Sequence, residues 1–181
     1  MPTVMTHAVV GIAASTVFTA TRPLAARSHR RPQRRFWIAS ALLPVLPDLD
    51  VLGLLVGIPF YSMWGHRGIS HSLAAALVLG VIAACACRAS GARLPVLSLY
   101  FVIVAASHGV LDALTNGGPG VAFFAPFDAT RYFFPWRPIP VSPLASHFFS
   151  EWGWRVFASE LAMIWLPAAL VVLVARLGRR R

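Results

Sequence analysis

Long apolar runs, each ending at arginines, set the pattern of the chain. Residues 5 to 21 form the first run and stop at Arg22. A second begins at Phe36 and continues to about Phe60, but Pro44, Pro47 and the acids of Pro47-Asp48-Leu49-Asp50 break it. Residues 72 to 87 make a third, closed by Arg88, Gly91 and Arg93, and Leu94 to Leu114 a fourth, closed by Asn116-Gly117-Gly118-Pro119-Gly120. The last runs from about Val156 to Leu177. Runs near 20 apolar residues are long enough to cross a bilayer as helices. The pattern predicts an all-α, integral membrane helical bundle of four to five spans with a proline-broken second helix.

Two connections differ from the rest. Residues 22 to 35 carry six arginines and two prolines and read as an aqueous loop. Residues 116 to 155 are rich in Phe, Trp and Pro, too apolar for a flexible linker and too rich in proline for a helix. They read as a lid lying in the membrane interface, with Trp and Tyr at headgroup depth. The whole of 1–181 reads as one domain, without internal repeat.

Composition agrees with a membrane protein: 57% of the 181 residues are hydrophobic and 12% charged, and the mean hydropathy is +0.69. All sixteen basic residues are arginine, against six acids. Twelve arginines flank one side of the spans and four the other, which puts the 22–35 loop in the cytoplasm and the lid outside. The basic loop lacks interleaved aromatics that stack bases, so anionic lipid rather than nucleic acid is its expected partner. Cys85 and Cys87 point to different sides of a helix and form no disulfide framework.

The rare polar residues inside the apolar runs share a depth. At about 1.5 Å per residue, His7, Asp48, His71, His108, Asp112 and Glu160 lie roughly 20–28 Å above the cytoplasmic arginines. In a core about 30 Å thick that is its outer third. His108 and Asp112 are spaced i, i+4 and face one way. Imidazole plus carboxylate suits Zn²⁺, Mn²⁺ or Fe, with zinc preferred, and the surplus of ligands allows one or two ions. His7, Asp48, Asp50, His66, His71, His108 and Asp112 are the expected ligands. A polar network that merely ties helices is the structural alternative.

A bound metal would lower the pKa of water, with Asp48 or Asp50 as general base where not fully used as ligands. Arg67 and Arg137 offer planar forks for a phosphate, and the lid's phenylalanines an acyl-chain surface. Ser70 and Thr115 are expected to support the ligands, or to cap helices and form turns. Glu160 is open between supporting the cluster and pairing with Arg155. Asp128 and Glu151 are expected to pair with Arg131 or Arg155, His147 to be structural and His29 solvated.

These residues resemble the YdjM-like family of predicted membrane-bound metal-dependent hydrolases. The resemblance rests on Thr6-His7, Pro47-Asp48-Leu49-Asp50, His66-Arg67-Gly68-Ile69-Ser70-His71-Ser72, and Ser107-His108 with Asp112-Ala113-Leu114-Thr115. Pro126-Phe127 and Arg137-Pro138-Ile139 resemble its downstream motifs. The family is similar at a distance to the all-helical zinc phospholipases C and single-strand nucleases, and His108-x-x-x-Asp112 looks like their helical ligand pair. Their second His-x-x-x-Glu pair has no match here. The resemblance implies hydrolase chemistry. The expected substrate is phosphate-bearing and lipid-linked, met at the outer face of a bacterial inner membrane. A metal or proton transporter built on the same His/Asp cluster is the alternative. The oligomeric state is not readable.

Overall fold

The computed structural model describes residues 1–21, 30–143 and 149–178. His29, His147, residues 22–29 of the arginine loop and the last three arginines lie outside the described residues, while residues 30–35, expected in that loop, are helical. The remainder is a helical bundle, and among the described residues no strand forms. The helices are α1 (Val4–Thr21), α2 (Arg30–Leu42), α3 (Leu73–Ala86), α4 (Leu94–Ala113) and α5 (Glu151–Gly178).

Four segments are long and apolar enough to cross a membrane: Val4–Thr21, Pro32–Val56, Leu94–Ala113 and Glu151–Gly178. The expected third span is present as α3, but its 14 residues reach only about 21 Å. That is short of a core about 30 Å thick. Its start is fixed by Ser72, whose hydroxyl accepts the Ala75 N–H. The segment before it is spent on the histidine loop.

The second span changes character where the prolines predict. Regular α-helix ends at Leu42, and Leu43–Val56 continue as a 3₁₀ stretch with Pro47 inside it. A proline supplies no N–H and its ring crowds the preceding turn, so the α pattern cannot pass Pro44 and Pro47. Gly57 then ends the stretch at φ 82°, a left-handed conformation that costs glycine little. This irregular passage turns Asp48 inward and leaves Leu49, Leu52 and Leu55 exposed to lipid.

Helices approach closely where side chains are small. A Cβ on Gly11 would lie 1.9 Å from the Ser40 carbonyl oxygen, and one on Gly80 would lie 2.6 Å from the Val102 amide nitrogen. These contacts lock α1 to α2 and α3 to α4, as small residues do in bilayers. The half of the bundle nearer the arginine loop is filled by Phe36, Leu97, Tyr100 and Phe101, with Phe18 packed against them.

The lid is irregular as expected but ends earlier. Helix α5 begins at Glu151, capped by the Ser150 hydroxyl, so residues 151–155 belong to the last span. Helix α5 contains a π-helical turn at Leu161–Trp165. The lid is stitched to what lies beneath it: Ala122 N–H donates to the Arg67 carbonyl, Leu73 N–H to Phe123, and Phe134 N–H to Ala113. Phe127, Trp136 and Trp154 stay exposed, as aromatics at a membrane–water boundary do.

A buried histidine and aspartate cluster

Four segments deliver their polar side chains to one place. His7 comes from the first turn of α1, Asp48 and Asp50 from the 3₁₀ stretch, His66, Arg67 and His71 from the loop, and His108 and Asp112 from the last turns of α4. Ligand atoms of Asp48, His71, His108 and Asp112 lie within 4.8 Å of one another, as do those of Asp50, His66 and His71.

His71 joins the two groups, one nitrogen to each. Its Nε2 is 3.7 Å from Asp48, 3.5 Å from Asp112 and 2.8 Å from His108 Nε2. Its Nδ1 is 3.2 Å from Asp50 and 2.9 Å from the Ser70 hydroxyl, which donates to Asp50 at 2.5 Å. His66 Nδ1 meets the other Asp50 oxygen at 2.8 Å. His108 Nδ1 donates to the Pro44 carbonyl, 2.7 Å away, so its Nε2 is the nitrogen left for a cation. His7 stacks on His108 with ring centroids 3.9 Å apart, its Nε2 3.6 Å from Asp112.

Polar satisfaction separates this cluster from an ordinary helix-tying network. Both oxygens of Asp48, both of Asp112 and both ring nitrogens of His7 are buried without a hydrogen bond. Buried polar atoms are ordinarily paired, and leaving a charged one unpaired costs more than about 1–3 kcal/mol. Carboxylate oxygens and imidazole nitrogens converging at 3.4–3.8 Å, too far apart to hydrogen-bond, fit a divalent cation. The residues present therefore suit the metal that their sequence predicts, though they do not distinguish its kind.

Arg67 is not a free fork. It is 1% exposed, with Nε 2.9 Å from Asp112. Its other nitrogens donate to the Thr115 hydroxyl (3.0 Å) and to the carbonyls of Gly117 (3.0 Å) and Pro119 (2.8 Å). Its backbone sits at φ 60°, unusual for a residue with a side chain. The expected phosphate contact gives way to a brace on Asp112, with Thr115 in the supporting role. Arg137 is exposed on the lid, its guanidinium 4.9 Å from the centre of the Phe133 ring. No contact brings it to the cluster among the described residues.

Glu160 does not pair with Arg155, which meets Glu151 at 2.7 Å instead. Fully buried, Glu160 accepts from the Thr3 amide (2.6 Å), the Thr3 hydroxyl (2.5 Å) and the Thr6 hydroxyl (2.6 Å). Trp165, at the end of the π turn, donates to the Thr6 hydroxyl at 2.7 Å. This network fixes the start of α1 and so the height of His7. Asp128 also departs from expectation: it accepts from the Thr130 amide and the Tyr132 hydroxyl, and the Thr130 side chain, the Thr130 amide and Tyr132 together hold its carboxyl below the usual range.

Arg131 was expected only as a partner for Asp128. It donates to the carbonyls of His66 and Gly120 through one nitrogen and to those of Tyr61 and Ser62 through the other. It thus ties lid to histidine loop, and an arginine 65 to 70 residues from its partners there gives no local signal of it. A cavity of about 140 Å³ borders the cluster, lined by His66, Arg67, Val51, Gly118 and Pro119 among others.

Comparison with known proteins places this arrangement. The model of the family described as YdjM inner membrane protein matches residues 1–180. The inner membrane protein YbcI of Escherichia coli (strain K12) is 36% identical over 178 residues, covering 95% of each chain. No solved structure matches.

Proposed function

The chain belongs to the YdjM inner membrane protein family, and from that premise we propose a membrane-bound metal-dependent hydrolase of phosphoesters. Its substrate is a lipid-linked phosphate or phosphodiester, met at the extracytoplasmic face. The observation that carries the reading is the set of buried Asp48, Asp112 and His7 atoms without hydrogen bonds, facing His71 and His108 in a multi-pass inner-membrane bundle. The excess of arginine on the opposite side supports the orientation.

Asp48, His71, His108 and Asp112 would hold the cation, zinc before manganese or iron, and Asp50, His66 and His71 a second one. Such an ion supplies Lewis acidity toward a phosphoryl oxygen and lowers the pKa of a water it binds. The protein's own groups do the rest. Arg67 fixes Asp112, and Ser70 fixes Asp50 and His71. With one cation held by the four-residue group, Asp50 is not used as a ligand and accepts the proton of the attacking water. The new P–O bond forms as the ester P–O bond breaks, and the departing oxygen takes a proton from the solvent side.

The neighbouring cavity supports a compact headgroup. Its ~140 Å³ falls below the roughly 300–1,000 Å³ of drug-sized sites. A transporter would need polar groups continuing toward the cytoplasm, but beneath the cluster lie Phe18, Phe36, Tyr100 and Phe101, with the Ser40–Tyr100 hydrogen bond among them.

Metal content of the purified protein by elemental mass spectrometry, followed by phosphate release from a lipid-phosphate panel, tests the proposal. One or two equivalents of metal are expected, with chelator-sensitive release that His71→Ala abolishes without unfolding the protein. Bound metal with no release from any lipid phosphate would refute the hydrolase.

A further inference from the structure

We propose that the groove between α1, α4 and α5 is the track for an acyl chain of the lipid whose phosphate meets the cluster; this rests on the hydrolase reading above. The groove exists because of how α5 packs. Its Leu166–Gly178 half lies against α1 far more than against α4 and buries none of its residues. A space of about 440 Å³ is left, lined by Val10, Ala14 and Phe18 of α1, Val104 of α4, and Ala168 and Val171 of α5.

Its position follows the site. Val10 and Ala14 are three and seven residues beyond His7, and Val104 is four before His108, so they continue the helix faces that carry the two stacked rings. The groove opens within one turn below those rings and runs from Val10 to Thr21, about 17 Å along α1. An outer-leaflet lipid with its phosphate at the cluster would point its chain down this line.

The occupant follows from width and chemistry. All the space between the walls, about 890 Å³, spread over that length gives a cross-section of roughly 50 Å², against roughly 80 Å² for a helix 10 Å across. A second copy's helix does not fit, whereas a single hydrocarbon chain does. Water finds almost no polar partner on this lining, and an empty groove would forfeit dispersion contacts along both walls. The groove faces the bilayer, which supplies the chain sideways.

Photocrosslinking of the full chain in nanodiscs of phosphatidylethanolamine and phosphatidylglycerol tests the track. The probe is phosphatidic acid with a diazirine near the end of one acyl chain. Adducts are expected at Val17, Tyr100 or Val171 by peptide mass spectrometry, falling about tenfold with excess unlabelled phosphatidic acid, or about 1.4 kcal/mol of selectivity. Ala14→Trp, which plugs the groove, should lower them similarly, while Leu99→Trp on the lipid-exposed side of α4 should not. Adducts spread evenly over exposed residues such as Leu77 and Leu99, insensitive to competitor, would mean ordinary boundary lipid and overturn the proposal. So would an efficient disulfide-linked dimer through Ile103→Cys. Specific labelling without phosphate release would retire the hydrolase and keep the track; release from short-chain phosphoesters without labelling would do the reverse.

Discussion

Replacing Asp112 by asparagine keeps the side chain's shape and removes its charge, and two separate losses follow. The first is in metal binding. A structural zinc site is worth about 10–16 kcal/mol, so one of four ligands accounts for roughly 3 kcal/mol, a hundredfold or more in affinity. The second is in folding. Arg67, 1% exposed and 2.9 Å from Asp112, would be left as a buried charge without its carboxylate, at a cost of about 3–5 kcal/mol. At about 2–4 °C per kcal/mol for a chain of this size, that lowers the melting temperature by roughly 6–20 °C. Adding Arg67→Met to Asp112→Asn should restore much of the stability, because the unpaired charge is gone, yet leave metal binding lost. The assay is thermal unfolding in detergent with and without added zinc, beside elemental analysis of each variant. Wild type should gain about 3 kcal/mol from zinc at a hundred times its dissociation constant, and both variants should gain little. Equal zinc stabilisation of wild type and Asp112→Asn would refute the assignment of Asp112 as a ligand.

Two further outcomes are expected from the packing. Thr6→Val removes the hydroxyl shared by Glu160 and Trp165 and should cost about 1–3 kcal/mol in thermal unfolding; its loosening of α1 should show as faster amide exchange around His7. Gly80→Ala places a methyl 2.6 Å from the Val102 amide nitrogen and should destabilise by about 1–3 kcal/mol or more, whereas Ala86→Gly, at the exposed end of the same helix, should cost less than about 1 kcal/mol.

The residues of the cluster were legible because depth is one-dimensional. A helix rises evenly, so the count from each arginine boundary to His7, His71, His108 or Asp112 gives a height, and rare polar groups at one height in separate spans have a common reason to be there. Direction within the layer is not carried by that count. Arg67 reads as an outward fork beside two histidines, but φ 60° and acceptors at Thr115, Gly117 and Pro119 turn it inward. Those acceptors are about fifty residues away. The partners of Glu160, Thr3 and Thr6, lie at the other end of the chain, and Trp165, five residues on, joins them only through Thr6. Hydropathy marks α3 to within a residue at each end, 72–87 against Leu73–Ala86, with Ser72 as the cap that fixes its start.

Charge balance ties the cluster to the number of ions it could hold. Asp48, Asp50 and Asp112 bring three negative charges, Arg67 one positive, and neutral imidazoles none. Ionised carboxylates this deep are costly unless compensated, and one divalent cation brings the sum to zero. Two, with His71 giving up its remaining proton to serve both, would leave an excess of one positive charge in a low-dielectric layer, an excess that a bound phosphate anion cancels. The resting protein is therefore expected to hold one tightly bound ion, and a second to bind firmly only together with phosphate. Metal titration followed by calorimetry, with and without inorganic phosphate, checks the coupling. Two equivalents bound with equal strength regardless of phosphate would mean that charges other than these four residues set the balance.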